Sequence, residues 1–79
     1  MSEINTIKQI TNYLRKHGWE PFGEGHWYHE GRSKSALDYL WAVYYEIKEN
    51  PTETLNYLNG LKILPTSIEW MVKEVNNGS

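Results

Sequence analysis

The stretch GWEPFGEGHWYH, residues 18–29, decides the fold, because it interrupts a chain whose other segments follow helical patterns. Two short aromatic segments, residues 19–22 and 26–29, flank Gly23-Glu24-Gly25, and a three-residue connection with two glycines is typical of a tight antiparallel hairpin. Pro21 has no N–H and confines the first arm to a sheet edge. A two-stranded hairpin is marginally stable alone, so we expect it to pack on neighbouring helices.

Amphipathic patterns predict helices on both sides of the hairpin. Residues 3–17 form one, with a possible cap at Ser2 and an end at Gly18, and its apolar face consists of Ile4, Ile7, Ile10 and Leu14. After the hairpin, Ser33 or Ser35 is suited to cap a central helix that continues to residue 49. We expect its inner stripe to contain Ala36, Leu37, Leu40, Trp41, Tyr44 and Ile47.

Two further helices complete the pattern. Asn50-Pro51-Thr52-Glu53 is a strong helix start, and Gly60 ends that helix. Residues 66–69 form a second capping box and open a last helix, after which residues 76–79 are polar and predicted to fray. The sequence therefore predicts one domain, residues 1–79, of the α+β class and mostly α: an N-terminal helix, a short antiparallel β-hairpin and three helices around one small core.

Composition excludes several classes of protein. The chain contains no cysteine, so disulfides and thiolate metal sites are impossible and a reducing cytoplasm is the expected location. Its first residues lack the basic and apolar runs of an export signal, and its longest apolar stretch, within residues 40–45, is far too short to span a membrane. A net charge of −2 gives no general attraction to nucleic acids, so we expect none as the main partner.

No cluster of residues predicts catalysis or a cofactor. His26-x-x-His29 beside Glu24 and Glu30 comes closest to a metal site, but in a strand positions 26 and 29 point to opposite faces. Polar hairpin histidines with no special role are the interpretation that we prefer for this spacing. We therefore expect no enzyme activity, no metal and no cofactor.

The aromatic hairpin has two interpretations. Its rings either complete an undersized core, or some of them remain on the surface, where Trp, Tyr and Arg often dominate binding energy. Strand alternation favours Trp27 inward and Tyr28 outward. We expect a protein-binding or inhibitory surface on the hairpin, with Trp19 and Trp27 supporting it from beneath and its contacts drawn from Glu24, His26, Tyr28, His29 and Arg32.

Two alternatives remain. The last two helices, joined by residues 60–65, have the order of a DNA-binding helix-turn-helix, although residues 67–76 carry one basic residue, Lys73, against Glu69 and Glu74. A homodimer through outward apolar residues of the central helix, such as Val43 and Tyr45, is the other option.

In its size, its lack of cysteine and its Trp-rich hairpin between helices, from Gly18 to Gly31, the chain resembles the small accessory proteins encoded by bacteriophages and prophages. The resemblance is to a class, and no functional residue is carried over from it. It implies a stoichiometric binder and inhibitor of a host factor, such as a defence complex, a polymerase or a nuclease.

Overall fold

The structure, a computed structural model, describes the backbone of residues 3–78 and the side chains of residues 5–76. Its elements are α1 (Glu3–Lys16), β1 (Trp19–Phe22), β2 (His26–His29), a 3₁₀ turn (Glu30–Arg32), β3 (Lys34–Ala36), α2 (Tyr39–Glu49), α3 (Pro51–Asn59) and α4 (Thr66–Gly78). The α+β, mostly helical class is confirmed, as is its order of helix, hairpin and three helices. The predicted cap Ser2, the Ile4 side chain and Ser79 lie outside the described residues.

The hairpin forms where it was predicted. β1 and β2 pair antiparallel, with Phe22 opposite His26 and Trp19 opposite His29, so residues 23–25 make the turn. Gly23 and Gly25 both have positive φ, which glycine adopts without the strain that a Cβ would bring. The glycines therefore allow the tight reversal that brings the two aromatic arms together.

A third strand is the main departure from the predicted architecture. β3 pairs antiparallel with β2, Trp27 opposite Ala36, and the sheet has the order β1-β2-β3. Ser33 and Ser35 are therefore not helix caps: Ser33 has a left-handed backbone after the 3₁₀ turn, and Ser35 lies within the strand. Asp38 caps α2 instead, its Oδ1 accepting a hydrogen bond from the Trp41 N–H at 3.2 Å. The extended chain continues three residues further than the helical pattern suggested.

The buried face of α2 also differs from the predicted stripe. Ala42, Val43 and Ile47 are buried, whereas Leu37 and Trp41 are exposed. Val43 therefore belongs to the core and is unavailable for the self-association surface considered above, and Tyr45 is half-buried against that core. Helix α2 is apolar on nearly every side, so periodicity alone selects its inner face poorly.

One apolar cluster joins the inner face of the sheet to the four helices. Helix α2 is central, since it contacts β2, β3 and each of the other three helices. The last helix extends through Gly78. The cluster consists of Ile10, Leu14, Trp19, Trp27, Ala36, Ala42, Val43, Ile47, Leu58, Ile68 and Val72.

Candidate functional site

A buried polar network lies between the sheet and α2. The carboxylate of Glu46, whose side chain is fully buried, accepts hydrogen bonds at Oε2 from Trp19 Nε1 at 2.8 Å and from Arg32 Nη1 at 2.5 Å. Its second oxygen, Oε1, is buried and has no hydrogen-bond partner among the described residues. A buried carboxylate is costly unless it is paired, so the Arg32 guanidinium is what makes this position tolerable.

His29 ties the same network to the end of α1. Its Nδ1 accepts from the Arg32 backbone N–H at 3.0 Å, so in a neutral imidazole Nε2 carries the proton. That Nε2 lies 2.7 Å from the carbonyl oxygen of His17, to which it donates. Gly18 must leave room for the ring, because a Cβ there would lie 2.8 Å from His29 Nε2. The histidine therefore fastens the sheet to the chain at the end of α1.

The residues that were predicted to form one contact surface fall into two groups, one in an inner layer with the buried network and one exposed on the outside. Trp19 and Trp27 are buried, as expected for the supporting layer. His29 is also buried, and Arg32 is largely committed to Glu46, so both belong to the inner layer and we remove them from the contact surface. Their hydrogen-bonding groups are used within the fold.

The sheet outer face, which we define as Glu20, Phe22, Tyr28 and Ser35, retains the remaining aromatics of the hairpin. Phe22 is 55% exposed. Tyr28 is 37% exposed and Trp27 is 7% exposed, which confirms that Trp27 points inward and Tyr28 outward. The Phe22 and Tyr28 ring centroids are 6.2 Å apart in an edge-to-face arrangement over a shallow depression of about 420 Å³.

The other two hairpin residues of the predicted set lie beside this face. The His26 ring lies 6.1 Å from that of Phe22, and Glu24 is exposed at the turn. His26 and His29 lie on opposite faces, as strand alternation requires. In the part of the chain that the structure describes, no group of three or more His, Asp or Glu side chains is placed to hold a metal ion.

A second, more apolar opening lies between α2 and α4. This α2–α4 groove has a volume of about 550 Å³ and is lined by Asp38, Leu40, Trp41, Tyr44, Thr66, Ser67, Trp70 and Met71. Trp41 is 45% exposed and Trp70 is 65% exposed. A volume of this size is within the range of small-ligand and peptide side-chain pockets.

Sequence reasoning missed this groove because it assigned Trp41 to the inner stripe and gave Trp70 no place. A signal for Trp70 was available: Ile68 and Val72 on α4 are buried, and position 70, two residues from each, falls on the opposite side of the helix. No comparable signal existed for Trp41, since Leu40, Val43 and Tyr44 around it are also apolar.

The groove edge contains one carboxylate and several aromatic faces. Asp38 is the one charged residue among those that line it. The Trp41 and Tyr44 rings meet edge to face, with centroids 6.0 Å apart and an interplanar angle of 83°. Lys48 Nζ lies 5.1 Å from the centroid of the Tyr44 ring, so a cation already occupies one of these faces.

A third depression, between α1 and α3, is occupied by paired groups. Tyr13 stacks on Tyr57 with ring centroids 4.4 Å apart, and His17 Nε2 lies 3.1 Å from Glu53 Oε2. The Tyr13 hydroxyl shares a 3.0 Å hydrogen bond with Thr54. Burial raises the pKa of Tyr13 and that of Tyr57 above the usual 10.0, the Thr54 hydrogen bond opposing the shift for Tyr13. These contacts secure α3 to α1.

The helices proposed for the DNA-binding alternative have a mixed outer surface. The exposed charged residues of α4 are Glu69, Lys73 and Glu74. One lysine between two glutamates provides little attraction for a phosphate backbone.

No helix among the described residues is long and apolar enough to cross a membrane.

Comparisons of the chain with protein-family models, with curated proteins and with solved structures found no match in any of the three.

Proposed function

We propose that the chain is a non-catalytic protein-interaction module whose principal contact surface is the α2–α4 groove. The observation that carries the proposal is the exposure of Trp41 and Trp70, at 45% and 65%, in one apolar opening. A tryptophan left in water forgoes the burial of a large apolar surface. Two of them in one groove are best explained by a partner that covers both.

The residue types in the groove favour a protein partner. Trp and Tyr are enriched among the residues that dominate protein-protein binding energy, and a groove between two helices is a common receptor for a partner's helix or extended segment. Leu37, which precedes Asp38 in the chain, is also 66% exposed. Together these side chains supply the apolar centre that stable interfaces need.

The placement of the titratable groups supports binding over catalysis. Glu46 and His29, which have the chemistry of a general acid or base, bond to Trp19, Arg32 and the His17 carbonyl inside the fold. They are used to hold the sheet on α2, and neither faces the groove.

The hairpin stays in the proposal as a second contact region. Phe22 and Tyr28 are exposed on the sheet outer face, and His26 and Glu24 lie beside them. An aromatic pair on an open sheet face suits a peripheral contact. We expect it to contribute less binding energy than the groove, because a shallow face excludes water less completely.

The proposal includes a location and a biological class. A chain without cysteine suits the reducing cytoplasm. The resemblance to phage and prophage accessory proteins favours an inhibitor that binds a host factor, such as a defence complex, stoichiometrically.

The test is capture of a partner from the source organism with the wild-type chain and with matched surface variants. Trp70→Ser should release the partner, with a loss in binding of about 2 kcal/mol or more when the purified partner is titrated by calorimetry. Tyr28→Ser, the matched hairpin variant, should lose about 1 kcal/mol or less. Unchanged affinity for Trp70→Ser in a normally folded protein would exclude the groove as the contact surface.

A further inference from the structure

We infer that the α2–α4 groove receives a lysine or arginine side chain of the partner, held between Trp41 and Trp70 with Asp38 as its counter-charge. This inference rests on the proposed function and specifies the chemistry that the groove selects. Three observations lead to it. They are the distribution of cations over the aromatic rings of this fold, the negative charge at the groove, and the carboxylates already present at the two helix N-termini beside it.

Cations already cover aromatic rings at three places in the fold. Arg15 lies over Trp27 at 5.7 Å, Lys34 over Tyr45 at 5.4 Å, and Lys48 over Tyr44 at 5.1 Å. Within residues 5–76 no cation lies over either Trp41 or Trp70. Tryptophan is the strongest cation-binding ring, and these two indoles are exposed and uncovered.

The charge of the groove complements a cation. Asp38 is exposed and lines the groove, and its carboxylate accepts one hydrogen bond from a described residue, at Oδ1, which leaves the lone pairs of Oδ2 for a ligand. A guanidinium or ammonium group in the groove would therefore meet aromatic faces and negative charge together.

The helix N-termini at the groove do not make it an anion site. Helices α2 and α4 both begin beside it, and a helix N-terminus carries partial positive charge. Each already has its own carboxylate, because Asp38 caps α2 and Glu69 lies in the first turn of α4. An incoming phosphate or carboxylate would face Asp38 at close range, and this repulsion favours the cationic ligand.

The size of the groove indicates more than an isolated charge. Its volume of about 550 Å³ exceeds that of a single ammonium group, and Leu40 and Met71 line it with apolar surface. Arginine and lysine carry apolar stems that pack on such a surface while the charged head stays polar. We therefore expect a partner segment with one basic side chain among apolar neighbours.

The experiment titrates ¹⁵N-labelled protein with N-acetyl-arginine amide and, separately, with its neutral counterpart N-acetyl-citrulline amide. The indole N–H resonances of Trp41 and Trp70 should shift on adding the arginine probe, and those of Trp19 and Trp27 should not. The arginine probe should bind about three- to fivefold more tightly than the citrulline probe, the effect of one exposed cation–ring contact.

Asp38→Asn is the sharpest variant for this test, because asparagine caps a helix as well as aspartate does and removes only the charge. It should reduce the preference for arginine, because the counter-charge is lost while both indole rings remain, without changing thermal stability. Glu49→Gln is the control, since it removes one exposed negative charge from the other end of α2, outside the residues that line the groove, and should leave the preference intact.

The other outcomes separate this inference from the proposed function. Equal shifts with both probes would overturn the choice of a basic side chain while leaving the groove as the contact surface. Shifts confined to the sheet outer face would overturn both. Sedimentation showing a dimer that Trp70→Ala converts to monomer would assign the groove to a second copy of the chain and overturn the inference.

Discussion

The four tryptophans form two contrasting pairs. Trp19 and Trp27 lie on the inner face of the sheet, where the Trp19 ring is fully buried and its N–H is bonded to Glu46. Trp41 and Trp70 lie on either side of an open groove. The first pair is buried within the fold, whereas the second pair leaves 45% of Trp41 and 65% of Trp70 exposed. The contrast separates residues that stabilise this chain from residues that we propose bind.

Helix α2 contributes to both regions. On one side Ala42, Val43 and Glu46 face the sheet and the core, and on the other Trp41 faces the groove. A change at either region can therefore be tested against its counterpart on the same helix. Substitutions toward the sheet should change the free energy of unfolding, and those toward the groove should change binding.

The largest expected effect is that of Trp19→Ala. It removes a fully buried ring and leaves Glu46 without one of its two hydrogen-bond donors, so we expect a loss of about 3–5 kcal/mol in the free energy of unfolding. Urea denaturation followed by circular dichroism measures it. A loss below about 1 kcal/mol would place Trp19 outside the core and remove the contrast between the pairs.

Glu46→Gln should have the next largest effect. It keeps the shape of the side chain but leaves the Arg32 guanidinium without its carboxylate, at a cost of about 1.5–3 kcal/mol, since Arg32 retains some contact with water. Arg32→Met combined with Glu46→Gln should cost less than the sum of the two single changes. Strict additivity in this double-mutant cycle would contradict the ion pair.

Part of the fold could be predicted from the sequence, and strand β3 could not. The hairpin, its turn and the order of the helices were predictable, because glycine spacing and apolar periodicity are local signals. Strand β3 was not, since Lys34-Ser35-Ala36 is too short to show alternation and its serine resembles a helix cap. Only pairing with β2 identifies these residues as a strand, and pairing is a tertiary event.

The candidate site was harder to predict because its contacts also join residues that are distant in sequence. Tyr28 outward and Trp27 inward followed from strand alternation, but Arg32 and His29 appeared available because their partners, Glu46 and the His17 carbonyl, are distant in sequence. Glu46 was a usable signal, since a lone acid between Val43 and Ile47 marks a face that must contain its counter-charge.

The dependence of the free energy of unfolding on pH should be a smaller effect, and it comes from two tyrosines that stack on each other, Tyr13 and Tyr57. Burial raises the pKa of Tyr13 and of Tyr57, so the folded chain keeps these phenols neutral where the unfolded chain ionises them. Their stabilising contribution is complete below about pH 10 and is lost as the pH rises through the folded-state pKa.

Tyr13→Phe isolates one of these groups. At neutral pH it should cost about 1 kcal/mol, because Thr54 loses a hydrogen-bond partner, and above about pH 10 its stability should fall less steeply than that of the wild type. Thermal denaturation across the alkaline range measures both quantities. Parallel pH profiles for the two proteins would contradict the burial of the Tyr13 hydroxyl.

The smallest effect on stability is expected for Trp70→Ala, the counterpart of Trp19→Ala. The ring is 65% exposed, so the free energy of unfolding should change by no more than about 0.5 kcal/mol. Urea denaturation under the conditions used for Trp19→Ala gives a matched comparison. A loss of about 2 kcal/mol or more would show that Trp70 stabilises the fold and would weaken its assignment to binding.

Hydrogen exchange of the four indole N–H groups, measured by NMR in the free protein and again with the captured partner, tests the central claim most directly. The account predicts slow exchange for Trp19 in both states, with fast exchange for Trp41 and Trp70 in the free protein that becomes slow when the partner binds. Exchange at Trp41 and Trp70 that stays fast in the complex would show that the partner binds elsewhere and would contradict the claim.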